Sequence, residues 1–113
     1  MNDKIRTVYF YKSYFTDFLS KQSNKVKDKI IWTLKLIESQ RSIPEEYFKH
    51  LTETDGLYEI RVKQSSNIYR IFCFFDKGNL IIVTSGFKKK TQKTPKSEIE
   101  KALKIKKEYE TEK

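Results

Sequence analysis

Between Gly56 and Pro95 the chain carries three β-rich runs in close succession: Leu57–Val62, Asn67–Phe72 and a third that ends in Ser85–Pro95. The connections Gln64–Asn67 and Asp76–Asn79 are four-residue polar turns of the kind that close hairpins, so the stretch predicts an antiparallel β-meander. Nothing else in the sequence restricts the fold as strongly, and the remaining segments must find places around this sheet.

Register gives the meander its chemistry. With the first turn at Gln64–Asn67, Lys63 faces Ile68, and counting back along both strands puts Arg61 directly opposite Arg70 on the same face. Like charges opposite one another are unfavourable in a sheet. The second turn, counted the same way, pairs Phe75 with Leu80 and Arg70 with Ser85. Alternation then sends Phe87 and Lys89 to Arg70's face and Tyr69 to the other, towards the core. Cations therefore gather at one end of the sheet. One reading is an anion site; the plainer one has both arginines reaching solvent at a strand end or pairing with Glu59 and other carboxylates. Spacing alone leaves both open.

Upstream, Ile5–Tyr11 alternates Ile5, Thr7, Tyr9 and Tyr11 with Arg6, Val8 and Phe10, a pattern suited to a strand that opens the sheet. Ser13–Lys21 carries Tyr14, Phe15, Phe18 and Leu19 at helical spacing, and a break at Ser20–Asn24 separates it from a longer helix reaching about Ser39. On that second helix Val26, Ile30, Leu34 and Ile37 form one stripe while Trp32 and Leu36 fall on another side. Two apolar sides imply two neighbours, the sheet and the first helix, with a groove for a partner protein on the exposed remainder as the functional alternative. Pro44 starts a short helical turn, Glu45–Leu51, that contains His50. As the only imidazole His50 invites a catalytic reading, but its place beside Leu51 and outside the basic end suits a surface histidine. Downstream of the meander, Thr94 with Pro95 at the first helical position starts a last helix. Ile99, Ala102, Leu103, Ile105 and Tyr109 share its apolar side, so it is expected to pack at one edge of the sheet and show a basic back, with Glu108–Lys113 fraying.

Composition narrows the class. A chain of 113 residues suits one domain, spanning 1–113, that buries roughly 65% of its unfolded surface. Charged residues are 35%, yet eight Phe, seven Tyr and one Trp supply the bulky core material that a disordered chain lacks. Lys and Arg number 24 against 15 Asp and Glu, a net +9 that makes polyanions the default partners. Lys88–Lys107 alone holds nine lysines and two glutamates, or +7. A basic run is often only a solvated helix face, but Lys88–Lys90 precedes the helix. The single Cys73, between Phe72 and Phe74, reads as a small core residue and excludes an intramolecular disulfide. A reducing compartment fits, and with no membrane-length apolar run and no signal-peptide pattern the expected location is cytoplasmic. One His and one Cys make no His/Cys metal cluster, and no phosphate or dinucleotide fingerprint is present, so the expected chemistry needs no cofactor and no metal.

Leu57-Tyr58-Glu59-Ile60-Arg61, Tyr69-Arg70-Ile71-Phe72 and Phe87-Lys88-Lys89-Lys90-Thr91-Gln92-Lys93-Thr94-Pro95, in that order and spacing, resemble the signatures of the RelE/ParE superfamily of type II toxins, in particular its HigB-like, phage-derived branch. The resemblance covers about residues 5–109. It implies an α+β RelE-like fold: an N-terminal strand and helical hairpin packed on an antiparallel β-meander, with a C-terminal helix. It further implies a ribosome-dependent, metal-independent mRNA endoribonuclease, an mRNA interferase that inhibits translation and is silenced by a cognate antitoxin, expected to be a small helix-turn-helix protein. The free toxin is expected to be monomeric. By position, Arg61 and Arg70 match basic residues around the scissile phosphate, and Lys88, Lys89 and Lys90 match the basic segment after the last central strand. The chain departs from the pattern at Glu59, where some relatives place a lysine, and its C-terminus lacks the histidines or tyrosine that act as acid or base in other members.

Metal-free RNA cleavage requires activation of a 2′-hydroxyl, stabilisation of a phosphorane-like transition state and protonation of the leaving 5′-oxygen. The planar, permanently charged forks of Arg61 and Arg70 suit the phosphate. A lysine among cations has its charged form disfavoured, so Lys88, Lys89 or Lys90 is placed to move a proton. Lys63, Lys93 and Lys96 are expected to touch RNA phosphates, and Phe87 to stack a splayed base. Two other functions stay open: a ParE-like poison of DNA gyrase on the same fold, and a non-catalytic basic RNA-binding module.

Overall fold

In the computed structural model, which describes residues 4–113, the meander becomes the centre of a five-stranded sheet. The chain runs β1 (Thr7–Phe10), α1 (Tyr14–Ser20), α2 (Asn24–Ser39), β2 (Phe48–His50), β3 (Tyr58–Gln64), β4 (Asn67–Asp76), β5 (Leu80–Lys89) and α3 (Lys96–Glu112). The strand order is β1-β5-β4-β3-β2, with β1 parallel to β5 and every other pair antiparallel. This is the α+β architecture expected, consistent with a RelE-like fold.

Both faces of the sheet are covered, which is why β4 and β5 read as nearly unbroken apolar runs. Phe15 of α1 and Val26, Ile30, Leu34 and Ile37 of α2 pack on Ile60, Val62, Tyr69, Ile71 and Val83. Each fully buried aliphatic side chain contributes about 1.5–3 kcal/mol. On the opposite face Ala102 and Ile105 of α3, with Ile99, Leu103 and Tyr109 beside them, cover Phe72, Phe74, Ile82 and Phe87. The last helix thus lies across β4 and β5, not at an edge, because its apolar side finds the second sheet face uncovered. Cys73 is fully buried, and burial pushes its thiol pKa up, as suits a packing residue. Among the described residues no helix is long and apolar enough to cross a membrane.

The first hairpin has the register read from the sequence, with Lys63 opposite Ile68 and Arg61 opposite Arg70. The second does not. Asp76 pairs with Leu80 and Phe75 with Ile81, leaving Lys77, Gly78 and Asn79 as the loop. Lys77 and Gly78 take left-handed φ values of 50° and 62°, which a short, tight connection requires. A β-bulge follows: Ile71 pairs with Gly86 and Cys73 with Val83, so Thr84 and Ser85 together oppose Phe72. Beyond it Arg70 faces Phe87, not Ser85.

Four further expectations give way. Glu45–Leu51 is a single turn after Pro44 followed by the short strand β2, because Phe48 can stack on Tyr58, centroids 4.9 Å apart, only when paired along β3. Pro95 caps α3 from outside and Lys96 is its first residue. The C-terminal turns do not fray: Lys12 Nζ meets Glu108 and Glu112 at 2.6 and 2.9 Å, and Tyr109 donates to Asp76 at 2.6 Å. The N-terminal strand is shorter than Ile5–Tyr11. Its outer edge is capped by Glu38, whose carboxylate accepts from Val8 N at 2.8 Å, while Arg6 donates to the last carbonyls of α2.

Candidate functional site

β2 stops at Phe48, opposite Ile60, so the rest of β3 runs on as an open edge after one more bond, from Arg61 N to Tyr47 O at 2.8 Å. Beside this edge lies a cleft of about 310 Å³, lined by Arg61, Arg70, Lys63, Tyr47 and Lys29. Strand alternation puts Glu59, Arg61 and Arg70 on the face that α3 covers further along. α3 begins only at Lys96, which leaves this end of the face uncovered.

The arginines are organised by Glu59. Its carboxylate is 2% exposed, and its Oε1 lies 3.0 Å from Arg61 Nε and 3.2 Å from Arg70 Nε. Its other oxygen accepts from Thr94 Oγ1 at 3.0 Å. Each of the three motifs thus contributes to one buried carboxylate: Glu59 and Arg61 from the first, Arg70 from the second and Thr94 from the third. Cross-strand repulsion between Arg61 and Arg70 is thereby relieved. Arg70 Nη1 donates to Tyr69 O at 3.3 Å, while its Nε meets Glu59 as an ionic contact without a hydrogen bond. The Arg61 side chain makes no hydrogen bond beyond that to Glu59 among the described residues and keeps its terminal nitrogens free. Burial lowers the Arg70 pKa, Glu59 opposes that shift and Arg61 adds to it; a guanidinium so placed stays charged.

The lysine triplet separates. Lys89, opposite Ile68 at the end of β5, is half-buried on the arginine face, and burial lowers its pKa, with Arg70, Arg61 and Lys49 adding to the effect and Glu59 opposing it. Lys88 is exposed and by alternation points to the other face, beside Tyr69; Lys90 is exposed just past the strand. Lys63 lines the cleft, while Lys93 and Lys96 are exposed on the segment leading into α3. Phe87 does not present its ring to a ligand. It is 9% exposed and packs on Phe72, centroids 5.7 Å apart, as a floor under Arg70. His50 is exposed on the opposite face, its ring 4.7 Å from that of Tyr58.

Sequence reasoning missed Lys49, Lys29 and Tyr47, and gave Glu59 no role beyond that of a possible partner. Lys49 sits opposite Glu59 in the β2 pairing. The alternation Phe48, Lys49, His50 was its only signal. Trp32 does not meet α1 as expected; it is 47% exposed and touches Tyr47 edge-on at 5.8 Å.

No curated protein matches this sequence. A family model for phage-derived Gp49-like proteins (DUF891) matches residues 17–107, from within α1 almost to the end of α3, and so takes in every residue of the cleft. The chain therefore belongs to the Gp49-like phage-derived family, a toxin-like family of the RelE/ParE-like clan.

Proposed function

We propose that this chain is the toxin of a type II toxin–antitoxin pair, close to the HigB-like branch, and that it cleaves mRNA on the ribosome as a metal-independent endoribonuclease. The observation that carries this reading is the arginine pair held by Glu59 at an open, cationic cleft. Glu59 engages each guanidinium through Nε, so the terminal nitrogens of Arg61 remain for a phosphate, and the forks need no reorganisation when charge develops on a phosphorane-like transition state. Lys89 is the proton donor to the leaving 5′-oxygen: its pKa is lowered from the ordinary lysine value, which makes the ammonium a better acid. Exposed Lys63, Lys88, Lys90, Lys93 and Lys96 neutralise flanking phosphates of mRNA and ribosomal RNA, which makes docking strongly salt-dependent. The ribosome supplies substrate orientation that so shallow a cleft does not provide. A small helix-turn-helix antitoxin covers the basic surface and silences the site.

The test is to map mRNA 5′ ends in a purified translation reaction containing this protein, beside the same mRNA without ribosomes. New in-frame ends that need translating ribosomes and vanish with Arg70→Ala establish the activity. Intact mRNA in both reactions overturns it; inhibition of gyrase supercoiling would then mark a ParE-like poison, and RNA binding without either activity a non-catalytic module.

A further inference from the structure

Beyond the arginine cleft, around the open edge of β3, lies a second hollow of about 430 Å³ lined by Lys25, Lys29, Trp32 and Gln64. Lys29 lines both hollows, so they form one groove from the arginine pair to the indole. Five cations border this groove (Lys25, Lys29, Arg61, Lys63 and Arg70) against two carboxylates, Asp28 and Glu46. Trp32 stands in it 47% exposed, steadied by Tyr47 edge-on at 5.8 Å and with Lys29 Nζ 4.3 Å from its ring centroid. A large aromatic side chain kept at the surface, within a run of ammonium groups, is the arrangement that binds single-stranded nucleic acid: cations follow the backbone and the ring takes a base. A helical peptide would ask for something else, a row of apolar anchors. Among the described residues the only other large hydrophobic side chain so exposed is Tyr9, on β1 at the far edge of the sheet.

We infer that Trp32 is a base-stacking platform for a nucleotide flanking the scissile phosphate, with Lys29 moving from the indole face to that nucleotide's phosphate. The inference rests on the ribonuclease reading for the words "scissile phosphate", but the stacking itself can be measured without cleavage.

Trp32 is the only tryptophan of the chain, so its fluorescence reports this subsite alone. The intact protein is titrated with a hexamer of riboadenosine and, at the same salt, with a six-unit abasic phosphodiester. The expected result is quenching by the hexamer and none by the abasic strand, with binding of the hexamer about tenfold tighter. Trp32→Ala, checked for folding by circular dichroism, should lose that preference, and Trp32→Phe should keep most of it. Equal binding of the two strands with an unchanged signal overturns the inference. In the ribosome reaction Trp32→Ala should weaken cleavage about tenfold through KM, with Trp32→Phe close to wild type; full cleavage by Trp32→Ala overturns the role while leaving the ribonuclease reading intact. If the wild type cleaves nothing, that reading fails and the titration still decides the stacking. Loss of antitoxin binding by Trp32→Ala, with RNA binding unchanged, makes the surface a protein dock and also overturns the inference.

Discussion

The Nε atoms of Arg61 and Arg70 approach the same oxygen, Oε1 of Glu59, at 3.0 and 3.2 Å, so one anion holds two like charges that face each other across β3 and β4. The arrangement is asymmetric. The Arg61 side chain is 29% exposed and that of Arg70 11%, against 2% for the carboxylate between them. Removing the negative charge would leave two partly desolvated cations with no counter-charge.

Glu59→Gln should therefore cost about 2 kcal/mol of unfolding free energy, below the usual figure for breaking a fully buried pair because Arg61 reaches water. Urea denaturation measures it. The loss should shrink when Arg61→Met is added, since the second change removes the stranded charge. Additive losses would mean that Glu59 and Arg61 do not act as a unit.

How far this site was legible follows from where each contact comes from. Arg61 opposite Arg70 could be counted because a short turn and strict alternation fix the first hairpin. The second hairpin hid two slips, a three-residue loop at Lys77–Asn79 and the extra residue at Thr84–Ser85, and neither has a local signature strong enough to count by. Together they move the register by two, an even number, so Phe87 and Lys89 still fall on Arg70's face although Arg70 meets a different neighbour. β2 was illegible because three residues become a strand only through Tyr58 and Ile60 of β3. The anchored C-terminus was illegible for the same reason: Lys12 and Glu108 are distant in sequence, and no window contains both.

Gly86 should not tolerate a side chain. A Cβ there would lie 2.8 Å from Cδ2 and Cε2 of Phe18, where α1 crosses β5 beside the bulge. Gly86→Ala is expected to destabilise the protein by roughly 1–3 kcal/mol, the usual cost of overpacking. Combining it with Phe18→Leu should recover part of the loss in thermal melts; no recovery would place the strain in the backbone.

The end of α3 should give a pH signature. Asp76 accepts from Tyr109 at 2.6 Å and pairs with Lys113 at 2.7 Å, and Lys113 first and Tyr109 second hold its carboxyl below the ordinary value. A carboxylate with a depressed folded pKa stabilises above its unfolded pKa, and that contribution is lost as pH falls through the folded one. Asp76→Asn should thus lower the urea midpoint at pH 7, by less than Gly86→Ala does, and the gap to wild type should close below about pH 4. On the alkaline side Tyr109 is raised to about 12, chiefly by Asp76. Its contribution is complete below the ordinary tyrosine value and disappears as pH rises through about 12. Tyr109→Phe should therefore show no alkaline loss of this kind.

Lys89 is the residue whose charge the site alters most usefully. Burial, Arg70, Arg61 and Lys49 lower its pKa, so the ammonium releases its proton more readily than an exposed lysine does, while the arginines beside it stay charged. If it protonates the leaving 5′-oxygen, ribosome-dependent cleavage should decline as pH rises through that lowered pKa, because the acid form is being lost. Lys89→Arg separates proton transfer from charge: it keeps a cation at the end of β5 but has no proton to give in the working range. The expected result is a fall of about 10²-fold or more in single-turnover cleavage for both Lys89→Arg and Lys89→Met, with RNA binding retained by the arginine variant, and disappearance of the alkaline limb from its pH profile. Cleavage restored by arginine would instead make Lys89 a phosphate ligand and return the proton donor to the ribosome or to another residue of the cleft.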